Sequence, residues 1–366
     1  MILLVGGGLF GRSVMRAWSV DLGFRTEGLL TAGFSAPPPG SASAERLRSA
    51  QLALVERLPA MPGVESAALA SDAPQNQLHS KIRIQTNDAS ITADRHSAGS
   101  GFFHTVEIRL LSGREFNARD DAAAPKVAIV NRILAARLWP DGNPLGRSIT
   151  VQKAAMQVVG VVGDSKYGSV WDEPHFDLYV ADSQAGAPAG YLIVRTRANP
   201  AGFASAVAKE WNGTFPRSPL SDFRTAHELL SVALAPQRLA AGVFGAFGLM
   251  AILLASVGIY SVMGYAVARR KREIGIRMAM GAKPAMVTRL VLGKSMAVAG
   301  AGVAAGISIS ALLARFVAPQ VKGVSVYDGA TFAMAAALVG MVAFLAAAIP
   351  ARRAARIDPQ VALRAE

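Results

Sequence analysis

Groups able to do chemistry are sparse in this chain, and their spacing joins none of them into a site. The five histidines, His79, His96, His104, His175 and His227, include no pair at the spacing that presents two imidazoles to one metal ion. They read as solvated or capping side chains. Asp120-Asp121 and the group Asp172, Glu173 and Asp177 offer carboxylates for acid–base work or for calcium. Neither follows the Asp-x-Asp-x-Asp-Gly order of a calcium loop, and beside Pro and Gly such acids read as loop solvation. No serine lies in a G-x-S-x-G elbow. There is no cysteine, which excludes disulfides, thiolate catalysis and Cys-based metal sites. Gly6-x-Gly8-x-x-Gly11 fits the dinucleotide fingerprint, and Gly6-x-x-x-x-Gly11-Arg12-Ser13 is one residue short of a phosphate loop. The fingerprint also needs an acid about 20 residues on, at the end of a second strand. Glu27 stands near that distance, but in a turn-like GFRTEG with no apolar strand ahead of it. A cofactor-dependent oxidoreductase would need residues 1–14 to form a strand, a turn and a helix. The inventory therefore predicts no catalytic residue, no metal and no cofactor.

The elements around these groups are better marked than the groups themselves. Residues 239–268 run for 30 positions without a charge. A bilayer core needs only about 20 such residues in a helix. Directly after them come Arg269, Arg270, Lys271, Arg272, Arg277 and Lys283, and such an excess of Lys and Arg marks the cytoplasmic side of a membrane. The net charge of +13 is concentrated in these flanks: residues 269–294 hold eight Lys or Arg against the single acid Glu273. Basicity of that kind belongs to membrane topology and predicts no nucleic-acid partner. Two further charge-light stretches, about 287–314 and 329–351, read as spans, the last closed by Arg352, Arg353 and Arg356. All three spans agree on one orientation, with the C-terminus inside. Gly302, Gly306 and Ser310 repeat every fourth residue and form a small-residue surface for another helix.

Residues 28–236 have the composition of a soluble α+β domain, which the topology puts outside. Strands are expected at 29–35, 64–70, 81–85, 126–130, 157–162 and 191–195, with helices at 44–58, 131–139 and 200–211. Strand and helix alternate without a strict βαβ rhythm, so a mixed sheet is expected. Residues 1–20 read as the shortened outer part of a membrane helix beginning upstream of Met1, because the first 11 residues are charge-free yet too few to span. The fold class is thus an α+β extracytoplasmic domain plus an α-helical membrane domain, residues 237–366, of three full spans.

The basic segment carries more than orientation. Glu273 and Arg277 are spaced as an i, i+4 pair, Gly281 can end a short helix and Pro284 can open the next. Ile274, Ile276, Met278 and Met280 add an apolar component suited to docking a cytoplasmic partner.

REIGIRMAMGA at 272–282, followed by a Gly-rich span and a terminal PARRAARIDPQVALRAE, closely resembles the FtsX/MacB-type permeases of ABC transporters. GREFNARDD at 113–121, VAIVNRILAARLWPDGNPLG at 127–146 and VVGVVGDSKYGSVWDEP at 158–174 resemble the MacB-type periplasmic core domain. The likeness is strongest to one half, the C-terminal one, of the duplicated permeases described from acidobacteria. It implies an inner-membrane permease without catalytic residues, working with a second permease half or as a homodimer. A separate cytoplasmic ATPase would dock on a coupling helix within 269–282, with Arg272, Glu273, Gly275, Ile276, Arg277, Gly281 and Ala282 as its docking residues. ATP-driven closure would then move the periplasmic domain, a mechanical transmission. The reading from another class is a membrane-anchored binding or sensor module with no ATPase.

Overall fold

The glycine motif near the start lies inside a helix, α1 (Ile2–Trp18), so it forms no strand and no phosphate-binding turn. The computed structural model describes residues 1–35, 42–75, 80–86, 90–140, 142–171, 175–185, 190–269, 273, 276, 280 and 284–354. They divide into two compact units, one of Val20–Ala233 and one of Met1–Ser19 with Leu234 onward.

In the first unit, short apolar runs bounded by Gly, Pro and Asp become strands. The elements are β1 (Leu29–Gly33), α2 (Ala42–Arg57), β2 (Val64–Ala70), β3 (Ser80–Gln85), β4 (Ser90–Ala98), α3 (Phe102–Val106), β5 (Leu110–Gly113), β6 (Val127–Asn131) and α4 (Arg132–Leu138). They continue as β7 (Ser148–Val151), β8 (Ala154–Val162), β9 (Asp177–Ala181), β10 (Tyr191–Thr196), α5 (Ala204–Thr214), β11 (Ser221–Thr225) and α6 (Ala226–Ala233). The 11 strands form one mixed sheet with two parts. The order β11-β1-β10-β2 is antiparallel throughout. It joins the rest through the pair Ala70↔Ala98 between β2 and β4. Beyond that joint the pairings β4-β3-β7-β8-β6-β9 close on themselves, because β9 also runs parallel to β4. β5 hangs on β8.

Each part has its own core. Leu30, Leu54, Leu69, Leu192, Val207 and Trp211 fill the first, where the Trp211 ring lies 4.9 Å from Phe34 and 5.0 Å from Phe215. Its indole N–H donates to the Ser218 carbonyl at 2.9 Å, so the one polar atom of a fully buried ring is satisfied. Ile84, Val130, Leu134, Ile149, Val158, Leu178 and Val180 fill the second. Because strand side chains alternate, the neighbours of Leu178 and Val180, namely Asp177 and Tyr179, must face the other side of the ring. At the turn after β5, Gly113 adopts φ +80°, and a Cβ there would lie 2.2 Å from the Val159 carbonyl oxygen, so no other residue fits. Arg114 beside it grips Asp120 with two 2.7 Å bonds.

The second unit consists of α1, α7 (Ala235–Arg269), α8 (Pro284–Val317) and α9 (Gly329–Ala354). The last three are long and apolar enough to cross a membrane. At 1.5 Å per residue, the 35 residues of α7 extend for about 52 Å, well beyond a hydrocarbon core of about 30 Å. Glycines bring α1 close to its neighbours. Gly7 lies against the backbone of Gly245 on α7, and a Cβ on Gly8 would come 2.7 Å from Thr331 Cγ2 on α9. Phe10 stacks on Phe244 at 5.7 Å. Polar ties cluster at the end of α1: Arg12 pairs with Asp328 at 2.7 Å and the Ser13 hydroxyl donates to the Lys322 carbonyl at 2.5 Å. Arg238 lies over the Trp18 ring at 5.3 Å, a pairing suited to a membrane interface. Toward the other end, Arg353 of α9 donates to the Tyr260 hydroxyl of α7 at 2.9 Å.

Candidate functional site

The most concentrated polar chemistry among the described residues is buried in the first unit, where sequence spacing showed nothing. β4 carries Asp94 and His96 on one face, and β9 carries Asp177 and Tyr179 opposite them, through the register pairs Asp94↔Asp177 and His96↔Tyr179. Asp72 enters from just beyond β2. The result is an alternating ladder of acids and imidazoles. His96 Nδ1 lies 2.9 Å from Asp72 Oδ2 and its Nε2 lies 3.5 Å from Asp177 Oδ1. His175 Nε2 follows at 3.8 Å from Asp177 Oδ1 and 2.7 Å from Asp94 Oδ2.

The frame around the ladder is built by one amide. Asn131 caps α4, its Oδ1 accepting from Leu134 N–H at 3.1 Å and from Asp177 N–H at 3.2 Å. Its Nδ2 donates to the His175 carbonyl at 2.7 Å and to Asp177 Oδ2 at 3.2 Å. Asp72 is fixed by the Ser71 hydroxyl at 2.9 Å, and its carbonyl accepts from Tyr167 at 3.1 Å. Tyr179 stacks on His96 with centroids 5.2 Å apart, and Tyr167 meets it edge-on at 6.0 Å. Burial alone would pull the His96 pKa down. The charge of Asp72 and the hydrogen bonds to Asp177 and Asp72 outweigh it, and the pKa is pushed up to about 10. His96 is therefore an imidazolium held between carboxylates. Covered by rings except at half-buried His175, the ladder can bond to something the size of a proton or an ion.

Two readings from spacing are corrected here. His96 and His175 lie against buried acids rather than in solvent, because pairing of β4 with β9 unites residues that sequence distance separates. Asp177 and Asp120 are buried rather than loop solvation. Burial would raise the Asp120 pKa, but the bonds from Arg114 and the Asn117 N–H hold it below the ordinary carboxylate range. Asp172 and Glu173 lie outside the described residues.

Of the docking residues expected from the sequence, Arg272, Gly275, Arg277, Gly281 and Ala282 lie outside the described residues. Glu273 and Ile276 are helical and exposed. The Met280 N–H donates to the Ile276 carbonyl at 3.0 Å, one α-helical turn, and the Met280 side chain is 83% exposed. In the small-residue stripe of α8, a Cβ on Gly306 would come 2.5 Å from Met1 Cγ, Ser310 is buried and donates to the Gly306 carbonyl at 2.6 Å, and Gly302 faces open space. The structure thus brings Gly306 and Ser310 into packed surroundings and leaves Gly302 outside them.

Comparison with known proteins adds the family context. Residues 5–210 match the MacB-like periplasmic core domain, and residues 245–359 match the FtsX-like permease C-terminal region. The macrolide export ATP-binding/permease protein MacB of Azoarcus sp. (strain BH72) is 27% identical over 308 residues, covering 80% of this chain and 45% of that protein. MacB of Pasteurella multocida is 24% identical over 335 residues, 90% of this chain and 50% of its own length. The pyoverdine export ATP-binding/permease protein PvdT of Pseudomonas fluorescens is 28% identical over 271 residues, 69% of this chain and 40% of its own. The chain spans about half the length of the relatives it matches. Among solved structures, the periplasmic region of MacB from Actinobacillus actinomycetemcomitans aligns with a TM-score of 0.41 at 16% identity, covering 57% of this chain and 94% of that one.

Proposed function

The chain belongs to the permeases that join a MacB-like periplasmic core domain to an FtsX-like C-terminal membrane region, and on that premise we propose that it transmits ATP-driven motion to its periplasmic unit. The observation that carries the reading is the position of the basic segment. It falls between α7 and α8, combines the Glu273/Arg277 spacing with the exposed Ile276 and Met280, and lies inside the FtsX-like match. The relatives' names pair ATP binding with a permease. In this reading ATP hydrolysis comes from a cytoplasmic ABC ATPase that docks on residues 272–282. A second permease half or a second copy supplies the opposing surface. The membrane is the bacterial inner membrane, with the C-terminus cytoplasmic and the periplasmic unit moved rather than threaded by substrate.

The test is the double variant Glu273→Lys with Arg277→Glu in chain reconstituted with candidate ATPases. Stimulated ATPase activity should fall at least tenfold while the periplasmic unit keeps its thermal unfolding transition; undiminished stimulation sinks the docking assignment. The orientation has its own check, because the chain has no native cysteine. A cysteine at the exposed Ala122 should react with an impermeant maleimide in intact spheroplasts, and one at Arg269 should react only after lysis.

A further inference from the structure

We infer that Asp94, His175 and Asp177 form a binding site for a divalent transition-metal ion of the zinc class. One ligand atom from each lies within 4.8 Å of the other two. A tetrahedral site with bonds of about 2.0–2.2 Å places neighbouring ligand atoms about 3.3–3.6 Å apart. The His175 Nε2 contacts of 2.7 Å to Asp94 and 3.8 Å to Asp177 stand on either side of that edge length.

The backbone frame is already rigid. Asp94 and Asp177 are direct partners across a parallel ladder, and the Asp94 N–H donates to the Phe176 carbonyl at 2.8 Å, tying the approach to β9 onto β4. Asn131 holds the His175 carbonyl, the Asp177 N–H and the Asp177 carboxylate together, the outer-shell support that orients metal ligands. Burial fits a small ion: both carboxylates are enclosed, while the half-buried His175 keeps one ligand within reach of solvent. The donor set chooses the ion class. Two carboxylates alone would suit calcium or magnesium, but an imidazole nitrogen shifts the preference to zinc, manganese, iron, cobalt or nickel. The ladder as a whole sets three carboxylates, Asp72, Asp94 and Asp177, against two imidazoles, a composition that favours added positive charge.

The test uses the full chain, purified in detergent with a tag free of histidine and stripped with chelator. Zinc binding is read by competition with a chromogenic chelator, and cobalt binding by its visible absorption bands. The expected result is one ion per chain, cobalt bands of a site with mixed nitrogen and oxygen ligands, and a zinc-dependent rise in the unfolding temperature of the periplasmic unit. His175→Gln, at a partly exposed position that leaves the core intact, should weaken zinc binding at least tenfold and abolish the temperature shift. Asp94→Asn should do the same, and His227→Gln should change neither. A stripped chain that takes up no zinc or cobalt at micromolar concentration overturns the inference, as does a His175→Gln protein that binds like the parent. In either case the 2.7 Å contact is a plain histidine–aspartate hydrogen bond.

Discussion

The two units handle apolar surface and charge in opposite ways. In Val20–Ala233 the large apolar side chains point inward, and charged groups enter the interior only in company: Asp72, Asp94, His96 and Asp177 with one another, and Arg195 with the carbonyls of Thr105, Glu27 and Arg25. Along α7 many large apolar side chains point outward, with Leu239 70%, Leu254 72% and Val257 64% exposed. Charges in the helical unit stand near the helix ends, as with Arg12, Asp328, Arg269 and Arg353. A protein in water hides oil and must partner any charge it hides, whereas one in lipid shows oil and moves charge to the rim. One chain follows both rules, switching after Ser19 and again after Ala233.

The strongest way to break this contrast is to hollow out a core. Trp211→Ala removes a fully buried ring and should cost about 3–5 kcal/mol, read as a lowered denaturant midpoint for the periplasmic unit of the purified chain. Insertion of the helices should be untouched. Asp72→Asn strips one partner from an imidazolium that has no water to turn to, and should cost a similar 3–5 kcal/mol in the same measurement. A loss below about 1 kcal/mol would mean that the ladder is wetter than its burial indicates. Leu254→Arg transplants the wrong rule into α7. It should reduce membrane insertion by about 2.5–3.5 kcal/mol, whereas an arginine at the exposed Glu210 should change stability by under about 0.5 kcal/mol. Asp328 caps α9 by accepting from the Thr331 N–H at 2.9 Å, and Asp328→Ala should lower the thermal unfolding midpoint of the helical unit.

The smallest expected effect depends on pH. Asp120 titrates lower in the fold than in the unfolded chain, so its clamp on Arg114 is fully present above the ordinary carboxylate pKa. That stabilisation is lost as pH falls through the folded value. Asp120→Asn should therefore lower the stability of the periplasmic unit slightly at pH 7, where the clamp is fully present, and flatten part of its decline in acid.

Legibility from sequence follows the same divide. Val64–Ala70 was readable as a strand because it is a short, mostly apolar run bounded by Pro62-Gly63, and β6, β8 and β10 are likewise short and mostly apolar. β4 was not. Its SITADRHSA puts Asp94 and His96 on a buried face, so it mimics a polar loop, and only pairing with β9 supplies the partners that make the burial tolerable. β11 was missed because SDFRT is a half-exposed edge with little to cover. The ladder left no local signature, since Asp72, His96 and Asp177 meet only once the strands are aligned. Asn131 carried one hint, a cap residue ahead of a helical run, but its second role toward Asp177 depends on the fold. The basic segment was legible because charge bias and i, i+4 spacing are properties of sequence alone.

Ring closure also governs how such domains behave when crowded. Each of the six ring strands pairs with at least two others, so among the described residues the strands with one partner are β11 and β5, of five and four residues. Both carry a register slip against their one partner, and β11 bears Asp222 and Arg224. Short, kinked and charged borders are poor templates for a stranger's strand. A strand from another chain therefore has little to add to at β11 or β5.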